Sequence, residues 1–186
     1  MKAGRHSGMI QKNSDWHKNP EVIKGDFGEN IVQRFFEKQG YKVYKSVTDA
    51  PHPFDFICIK NNETFYFEVK TKARRNKYPD TGFNFNQYKV YKAISEKEGK
   101  PIYICFVDHV LKKIYGNFLN ILDKERVCNG KKYPSNEPAN NGTIIRYYPL
   151  EVMQDMGLLS DKTIQRLKSF STCQESPEKN TSKNKG

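Results

Sequence analysis

The sequence predicts a mixed α/β domain whose core elements follow the order α-β-β-β-α-β. Three observations lead to this fold class. An amphipathic helical segment comes first, three short β-rich segments follow it, and a second helical segment then leads into a strand that is apolar on both faces. A strand of that kind is typical of the centre of a sheet that is covered on both sides. We therefore expect a mixed sheet flanked by helices.

Residues 26–39 predict the first helix, because their apolar side chains recur at helical spacing and Gly40 follows as a stop signal. The apolar side chains on this face are Phe27, Ile31, Val32, Phe35 and Phe36. Glu29 precedes Val32 by three residues, so its carboxylate continues the apolar ridge. The alternative reading is an ordinary first-turn glutamate that the helix dipole favours.

Three β-rich segments at 41–47, 53–60 and 64–71 predict an antiparallel set of strands. The second and third are separated by Asn61 and Asn62, which are typical of a two-residue hairpin turn.

Residues 86–98 predict the second helix, which ends at Gly99-Lys100-Pro101 and leads into a strand at 102–108. Its expected core face carries Val90, Tyr91 and Ile94, and Gln87 is aligned with them. An alternative role for Gln87 is a capping box with Asn84. Since a strand, a helix and a strand at this spacing form a βαβ crossover, strands 64–71 and 102–108 should be parallel neighbours.

The remaining residues predict an edge strand at 112–120, a loop at 128–142, a strand at 143–148 and a closing helix that Ser160-Asp161 caps and that ends at Phe170. We divide the chain into four parts. These are a polar N-terminal segment at 1–25, a core at 26–120, a small C-terminal extension packed on the core at 121–170, and a tail at 171–186. The tail has no aliphatic or aromatic side chain, so we expect it to be disordered.

The charge balance points to a polyanionic partner. The 186 residues include 32 Lys and Arg against 21 Asp and Glu, a formal net charge of +11, which favours nucleic acid or an acidic membrane surface. The longest apolar run, at 102–107, is far shorter than the roughly 20 residues that cross a bilayer. The four cysteines lack zinc-ligand spacing. No signal peptide is evident, so we expect a cytoplasmic protein with reduced thiols and no membrane partner.

Two carboxylates are expected to meet on the sheet. If Asn61-Asn62 forms a two-residue turn, Asp55 lies opposite Glu68, and Lys70 lies on the same face. Like charges at opposed positions destabilise a sheet unless a cation sits between them. That cation is either Lys70 or a divalent metal, and Mg²⁺ is the metal that prefers oxygen ligands of this kind.

The spacing of these residues resembles a known nuclease signature. Asp55, twelve intervening residues and then Glu68-Val69-Lys70 resemble the PD-(D/E)xK motif. The resemblance covers residues 26–108 and is greatest to archaeal-type Holliday junction resolvases and small restriction-type nucleases. One departure is that the Pro-Asp pair of the signature is stretched to Pro53-Phe54-Asp55. The resemblance implies a restriction-endonuclease-like fold.

The resemblance also implies Mg²⁺-dependent hydrolysis of DNA phosphodiester bonds, with Mn²⁺ as a possible substitute, in recombination, repair or restriction of foreign DNA. Asp55, Glu68, the carbonyl of Val69 and Glu29 would then hold the metal. Lys70 would orient or activate the attacking water, and Gln87 would position Lys70 or the scissile phosphate. A symmetric DNA substrate would favour a homodimer.

Basic residues directly after the motif are candidates for contacts with the nucleic-acid backbone. They are Lys72, Arg74, Arg75 and Lys77. A solvated basic loop is the alternative. Two rival functions also stay open: a non-catalytic nucleic-acid-binding protein on the same fold, and a basic RNA-binding or ribosome-associated protein in which Glu68 and Lys70 form a structural ion pair.

Overall fold

The computed structural model describes residues 18–45 and 53–172, with the side chains of 171 and 172 left out. The disorder expected for the tail therefore concerns residues that are almost wholly outside the described ranges. The helices are α1 (Pro20–Lys38), α2 (Phe85–Glu98), α3 (Leu119–Leu122) and α4 (Asp161–Thr172), and Leu150–Val152 forms a 3-10 turn. None of the helices in the described ranges is long and apolar enough to cross a membrane.

The strands form one large sheet and two small ones. The strands are β1 (Lys42–Lys45), β2 (Phe56–Lys60), β3 (Glu63–Lys70), β4 (Asp80–Asn84), β5 (Ile102–Asp108), β6 (Lys113–Phe118), β7 (Arg126–Cys128), β8 (Lys131–Tyr133), β9 (Ser135–Pro138), β10 (Ile144–Pro149) and β11 (Gln154–Leu158). The large sheet has six strands in the order β1-β2-β3-β5-β6-β11. Strands β3 and β5 run parallel and the other neighbours are antiparallel. The expected mixed sheet, flanked by helices, is confirmed.

Helix α1 begins six residues earlier than predicted, so part of the expected polar N-terminal segment is helical. The Asn19 side chain caps this helix by accepting a hydrogen bond from the backbone N–H of Glu21 at 2.9 Å. Pro20 occupies the first turn, where its missing N–H costs nothing. These two residues are the signal for the start of the helix. The prediction instead followed the apolar periodicity, which begins only at Phe27.

The hairpin between β2 and β3 has the predicted two-residue turn. Asn61 and Asn62 both adopt positive φ angles, 51° and 65°, as a type I′ turn requires. Lys60 pairs with Glu63, and the register continues to Phe56 opposite Phe67. This register sets which side chains share each face of the sheet.

A second sheet, in the order β4-β10-β9, was not predicted. Strand β4 lies in the basic stretch before α2, and β8 and β9 lie in residues 128–142, which the sequence predicts as a loop. Strand β4 is held extended by pairing with the distant β10, whereas β8 and β9 pair with their near neighbours β7 and β10. Gly82 shows how close that pairing is, because a Cβ there would lie 2.1 Å from the carbonyl oxygen of Arg146.

Strand β6 is not an edge strand, because β11 pairs with it antiparallel. The predicted strand at 143–148 corresponds to β10 and the closing helix to α4. The Ser160 hydroxyl accepts from the backbone N–H of Thr163 at 3.3 Å, as expected of a cap.

The buried side chains form one main cluster on each face of the large sheet. Helices α1 and α4 cover one face, with Val32, Phe67 and Leu167 in its core. Helix α2 and the second sheet cover the other. The predicted core face of α2 was partly wrong, since it buries Tyr88 and Tyr91 while Val90 is 49% exposed. The second sheet packs against the tyrosine side and draws that face inward.

Candidate functional site

Asp55 and Glu68 lie close together where β2 begins and β3 ends. The backbone N–H of Asp55 donates to the carbonyl of Phe67 at 3.0 Å. Because Phe67 already pairs with Phe56, Asp55 and Phe56 both lie opposite this one residue, as in a β-bulge, and the predicted direct pairing of Asp55 with Glu68 does not form. Oδ2 of Asp55 accepts from the backbone N–H of Val69 at 2.7 Å. The local hairpin therefore places the two carboxylates side by side and fixes the orientation of Asp55.

Burial raises the pKa of both carboxyl groups, and nearby acidic side chains add to the shift. Burial, followed by the charges of Glu68 and Glu29, raises the pKa of Asp55 to about 8. Burial also raises the pKa of Glu68, against the opposing influence of Lys70 and Tyr91. The two carboxyl groups therefore resist being ionised at the same time, and a bound cation would stabilise the ionised form of both.

Lys70 is the cation nearest to Glu68. Its Nζ lies 2.5 Å from Oε1 of Glu68, and both side chains are largely buried. The ammonium also lies 5.9 Å from the ring centre of Tyr91 and 6.0 Å from that of Phe83, within the range of weak cation–π attraction. The expectation of a positive partner for the carboxylate pair is thus met at Glu68 by Lys70.

Tyr91 is a site residue that the sequence reasoning placed in the apolar core. Its side chain is 3% exposed, and its hydroxyl donates a hydrogen bond to Glu68 that lowers the pKa of that carboxyl. In turn, burial and the charge of Glu68 raise the pKa of Tyr91. A signal did exist, because a buried tyrosine hydroxyl needs a polar partner.

Glu29 reaches the site from α1. Its charge raises the pKa of Asp55, and its Oε2 lies 2.5 Å from Nζ of Lys45, a partner that the sequence did not suggest. Gly28 allows the helix to approach this closely, since a Cβ there would lie 1.8 Å from Oγ1 of Thr71. The convergence predicted for Glu29 is present, with its carboxylate engaged in an ion pair.

Gln87 is not drawn into this cluster. It is exposed, one turn before Tyr91 on α2. In the described ranges no hydrogen bond joins Gln87 to Asp55, Glu68 or Lys70. Asn84 is the N-cap of α2 and accepts from the backbone N–H of Asn86 at 2.7 Å.

The basic residues after β3 differ in how far their side chains are occupied. Lys77 is exposed, and Lys72 is half-buried. Burial and the neighbouring cations lower the pKa of Lys72. The backbone N–H of Arg74 donates to Oδ2 of the buried Asp108 at 2.8 Å, which ties this segment to the end of β5.

Arg75 faces the interior. Its Nε donates to Oδ1 of Asp80 at 2.6 Å, and its Nη1 donates to Glu137 at 2.5 Å. The guanidinium carbon lies 3.6 Å from the ring centre of Tyr147. Asp80 is fully buried and also accepts from the hydroxyl of Tyr133 at 2.8 Å. Arg75 thus fastens the basic segment to the second sheet.

The oxygen atoms of the site could ligate a divalent cation, with two carboxylates available as the structure stands. Asp55 and Glu68 supply two neighbouring carboxylates and Val69 a backbone carbonyl, with room in the coordination shell for water and phosphate. Across the described ranges, no three or more His, Cys, Asp or Glu side chains are already gathered as a metal site. Glu29 would have to leave Lys45 to contribute. The residues therefore fit a two-carboxylate site.

Comparison with known proteins gives a likeness of structure only. No family model matches the chain, and no curated protein matches it in sequence. Among solved structures, the chain is similar to Hjc from Archaeoglobus fulgidus, described as a Holliday junction resolvase from an archaeal hyperthermophile. The identity is 12% and the TM-score 0.44, over 68% of this chain and 95% of that one. No residue role or activity follows from similarity at this level.

Proposed function

We propose that this protein is a metal-dependent DNA endonuclease of PD-(D/E)xK type that acts in recombination, repair or restriction of foreign DNA. The observation that carries the proposal is the neighbouring pair of the half-buried Asp55 and the buried Glu68 with Lys70 alongside. The pKa of about 8 at Asp55 is the kind of perturbation that accumulates at functional sites. The agreement of this geometry with the PD-(D/E)xK spacing supports the same reaction.

In this proposal Asp55, Glu68 and the carbonyl of Val69 hold Mg²⁺ or Mn²⁺, and Glu29 joins them directly or through water. The ion supplies Lewis-acid stabilisation of the phosphate and lowers the pKa of bound water. Because Asp55 retains a proton near neutral pH, metal binding there releases it, and affinity rises with pH.

Lys70 is the residue that we assign to the reacting phosphate. Its ammonium pairs with Glu68 in the structure. A metal bound to Glu68 would release the Lys70 ammonium, which could then donate to the attacking water or to a phosphate oxygen. Tyr91 holds the Glu68 carboxylate from the opposite element, α2. Gln87, exposed one turn away, would act on the phosphate from the rim of the site.

The segment after β3 is proposed to bind the DNA backbone through Lys72, Arg74 and Lys77. Arg75, which the sequence groups with them, is held by the carboxylates of Asp80 and Glu137. We therefore assign it to positioning this segment. Backbone contacts of this kind weaken as salt increases, by roughly one power of the salt concentration for each phosphate neutralised.

We also propose that residues 26–120 hold the nuclease core and 121–170 an extension packed on it. Strand β10 pairs with β4 and β11 with β6, which supports tight attachment of the extension. A homodimer would suit a DNA substrate with two-fold symmetry.

The test is cleavage of a panel of supercoiled plasmid, single strand, flap and four-way junction with Mg²⁺ or Mn²⁺. We expect the wild type to cut at least one substrate, and Asp55→Asn and Lys70→Met to lose about a hundredfold in rate or more. Asp155→Asn and Lys113→Met are matched controls, because this exposed pair lies on β11 and β6. Wild-type protein that cuts nothing, or catalytic variants as fast as the controls, would contradict the proposal.

One observation favours the non-catalytic alternative. Glu68 and Glu29 are each neutralised within the protein, by Lys70 and Lys45, as in a binding module that needs no metal. That alternative predicts DNA affinity that is the same with Mg²⁺ and with EDTA, and no cleavage in the panel above.

A further inference from the structure

On the face of the large sheet against which α2 packs, side chains of β1 and β2 remain partly open to solvent. One row of paired residues crosses β1, β2, β3 and β5 on this face: Tyr44, Ile57, Tyr66 and Ile102. Tyr44 is 53% exposed and Ile57 is 37% exposed, Tyr66 is half-buried, and Ile102 is only 1% exposed beneath the helix. An apolar, aromatic surface therefore continues beyond the edge of α2.

The flank of α2 forms the other wall. Val90 is 49% exposed and Ile94 is half-buried, and one turn separates them on the same side of the helix. Glu98 lies one turn after Ile94, on the same side of the helix. The hydroxyl of Tyr66 donates to its carboxylate, so this side of α2 borders the row of residues on the sheet. Together, Tyr44, Ile57, Tyr66, Val90 and Ile94 line what we call the aromatic groove.

The aromatic groove runs directly into the candidate site. Phe54 stacks on Tyr66 with ring centres 3.9 Å apart and planes 11° apart, and Phe54 immediately precedes Asp55. Tyr66 shares its sheet face with Glu68, two residues further along β3. A molecule in the groove would therefore continue from one held at the carboxylates.

Two lysines lie at the rim of the groove together with Glu98. Lys42 is exposed and lies on the same face of β1 as Tyr44, and Lys97 lies two turns after Val90 on the same side of α2. The contact core of a protein–protein interface is depleted in lysine, whereas stacking aromatics beside cations are typical of sites for single-stranded nucleic acid.

We infer that the aromatic groove stacks an unpaired base next to the scissile phosphate, so that the preferred substrate is single-stranded or branched DNA and not a continuous duplex. This inference rests on the proposed function, because it places the groove beside the reacting bond. Tyr44 is the outermost stacking side chain, and Phe54 with Tyr66 forms the inner platform.

The experiment measures binding of oligonucleotides carrying 2-aminopurine, in EDTA so that no cleavage occurs. We expect Tyr44→Leu to weaken binding of single-stranded DNA about tenfold and to reduce the change in base fluorescence. Tyr44→Phe keeps the ring and should bind as the wild type does. Leu158→Ser, which alters an apolar side chain that is 83% exposed elsewhere, is the matched control.

Affinity for a fully paired duplex should change less than twofold in all variants. Equal single-strand affinity of wild type and Tyr44→Leu would overturn the inference. So would a DNA-free dimer that Tyr44→Leu dissociates, because the face would then join two copies of the chain. Binding and cleavage are measured separately. If wild type and Tyr44→Leu bind single strands equally while the wild type still cuts DNA, the base-stacking inference fails and the proposed nuclease function stands.

Discussion

The raised pKa of Asp55 predicts that the metal-free protein loses stability between pH 6 and pH 8. In the folded state this carboxyl gives up its proton near pH 8, against 3.8 as its ordinary value. The folded state therefore binds more protons than the unfolded chain between these limits, so the free energy of unfolding falls as pH rises through that window. From pH 6 to pH 8 the loss attributable to Asp55 is about 2 kcal/mol.

The variant Asp55→Asn isolates this contribution, because an amide has nearly the same shape and its oxygen can still accept from the backbone N–H of Val69. The assay is urea unfolding of both proteins at pH 6 and pH 8 in EDTA. We expect the wild type to lose about 2 kcal/mol more than the variant across this range. The corresponding difference in Tm is about 4–8 °C.

Titrating groups that do not interact with Asp55 cancel in this comparison, because they are present in both proteins. His109, whose pKa burial and nearby lysines lower, is one such group. A pH dependence of stability that is identical in wild type and Asp55→Asn would refute the reasoning, since Asp55 would then ionise as an ordinary aspartate does.

Three further substitutions follow from packing and charge. Gly28→Ala should cost about 1–3 kcal/mol of stability by urea unfolding, because its methyl group would overlap the hydroxyl of Thr71. Gly25→Ala, which meets nothing within 4 Å in the same helix, should instead be neutral or stabilising. Arg75→Met should cost about 2–3 kcal/mol by the same assay, because the buried Asp80 loses its bidentate partner and keeps only Lys131 at 3.4 Å and the hydroxyl of Tyr133. Tyr91→Phe should fold normally and lower the rate of DNA cleavage about tenfold or more, because it removes a hydrogen bond to Glu68, the glutamate that we propose binds the metal.

Each of these has a clear contrary outcome. Equal stabilities of the two glycine variants would show that α1 does not need its close approach to β3. A mild effect at Arg75, comparable to that of Lys77→Met on the exposed part of the same segment, would show that the internal ion pairs contribute little. Unchanged cleavage in Tyr91→Phe would remove that hydroxyl from the site.

Much of the core was predictable because its signals are local. The paired asparagines determine the hairpin register from Lys60 opposite Glu63 to Phe56 opposite Phe67, and this register brings Asp55 and Glu68 to the same end of the hairpin. The parallel pairing of β3 with β5 follows from the crossover through α2. These features depend on turn chemistry and chain handedness, which a short stretch of sequence contains.

The second sheet and the orientation of α2 were not predictable in the same way. Strand β4 is extended because it pairs with β10, more than fifty residues further along the chain. Val90 and Tyr91 are adjacent apolar residues, so periodicity alone does not decide which of them faces inward. The second sheet, which the sequence did not predict, decides it by packing on the Tyr91 side. Arg75 looked like a surface cation because one of its two acidic partners, Glu137, is equally distant in sequence.

The central claim is that Asp55 and Glu68 form a divalent-metal site, and the most direct test is Mn²⁺ binding at pH 8, measured by calorimetry and by the electron paramagnetic resonance signal of the free ion. The account predicts saturable binding by the wild type that Asp55→Asn and Glu68→Gln abolish and that Asp155→Asn preserves. Absence of saturable Mn²⁺ binding, or binding that survives in both site variants, would contradict it.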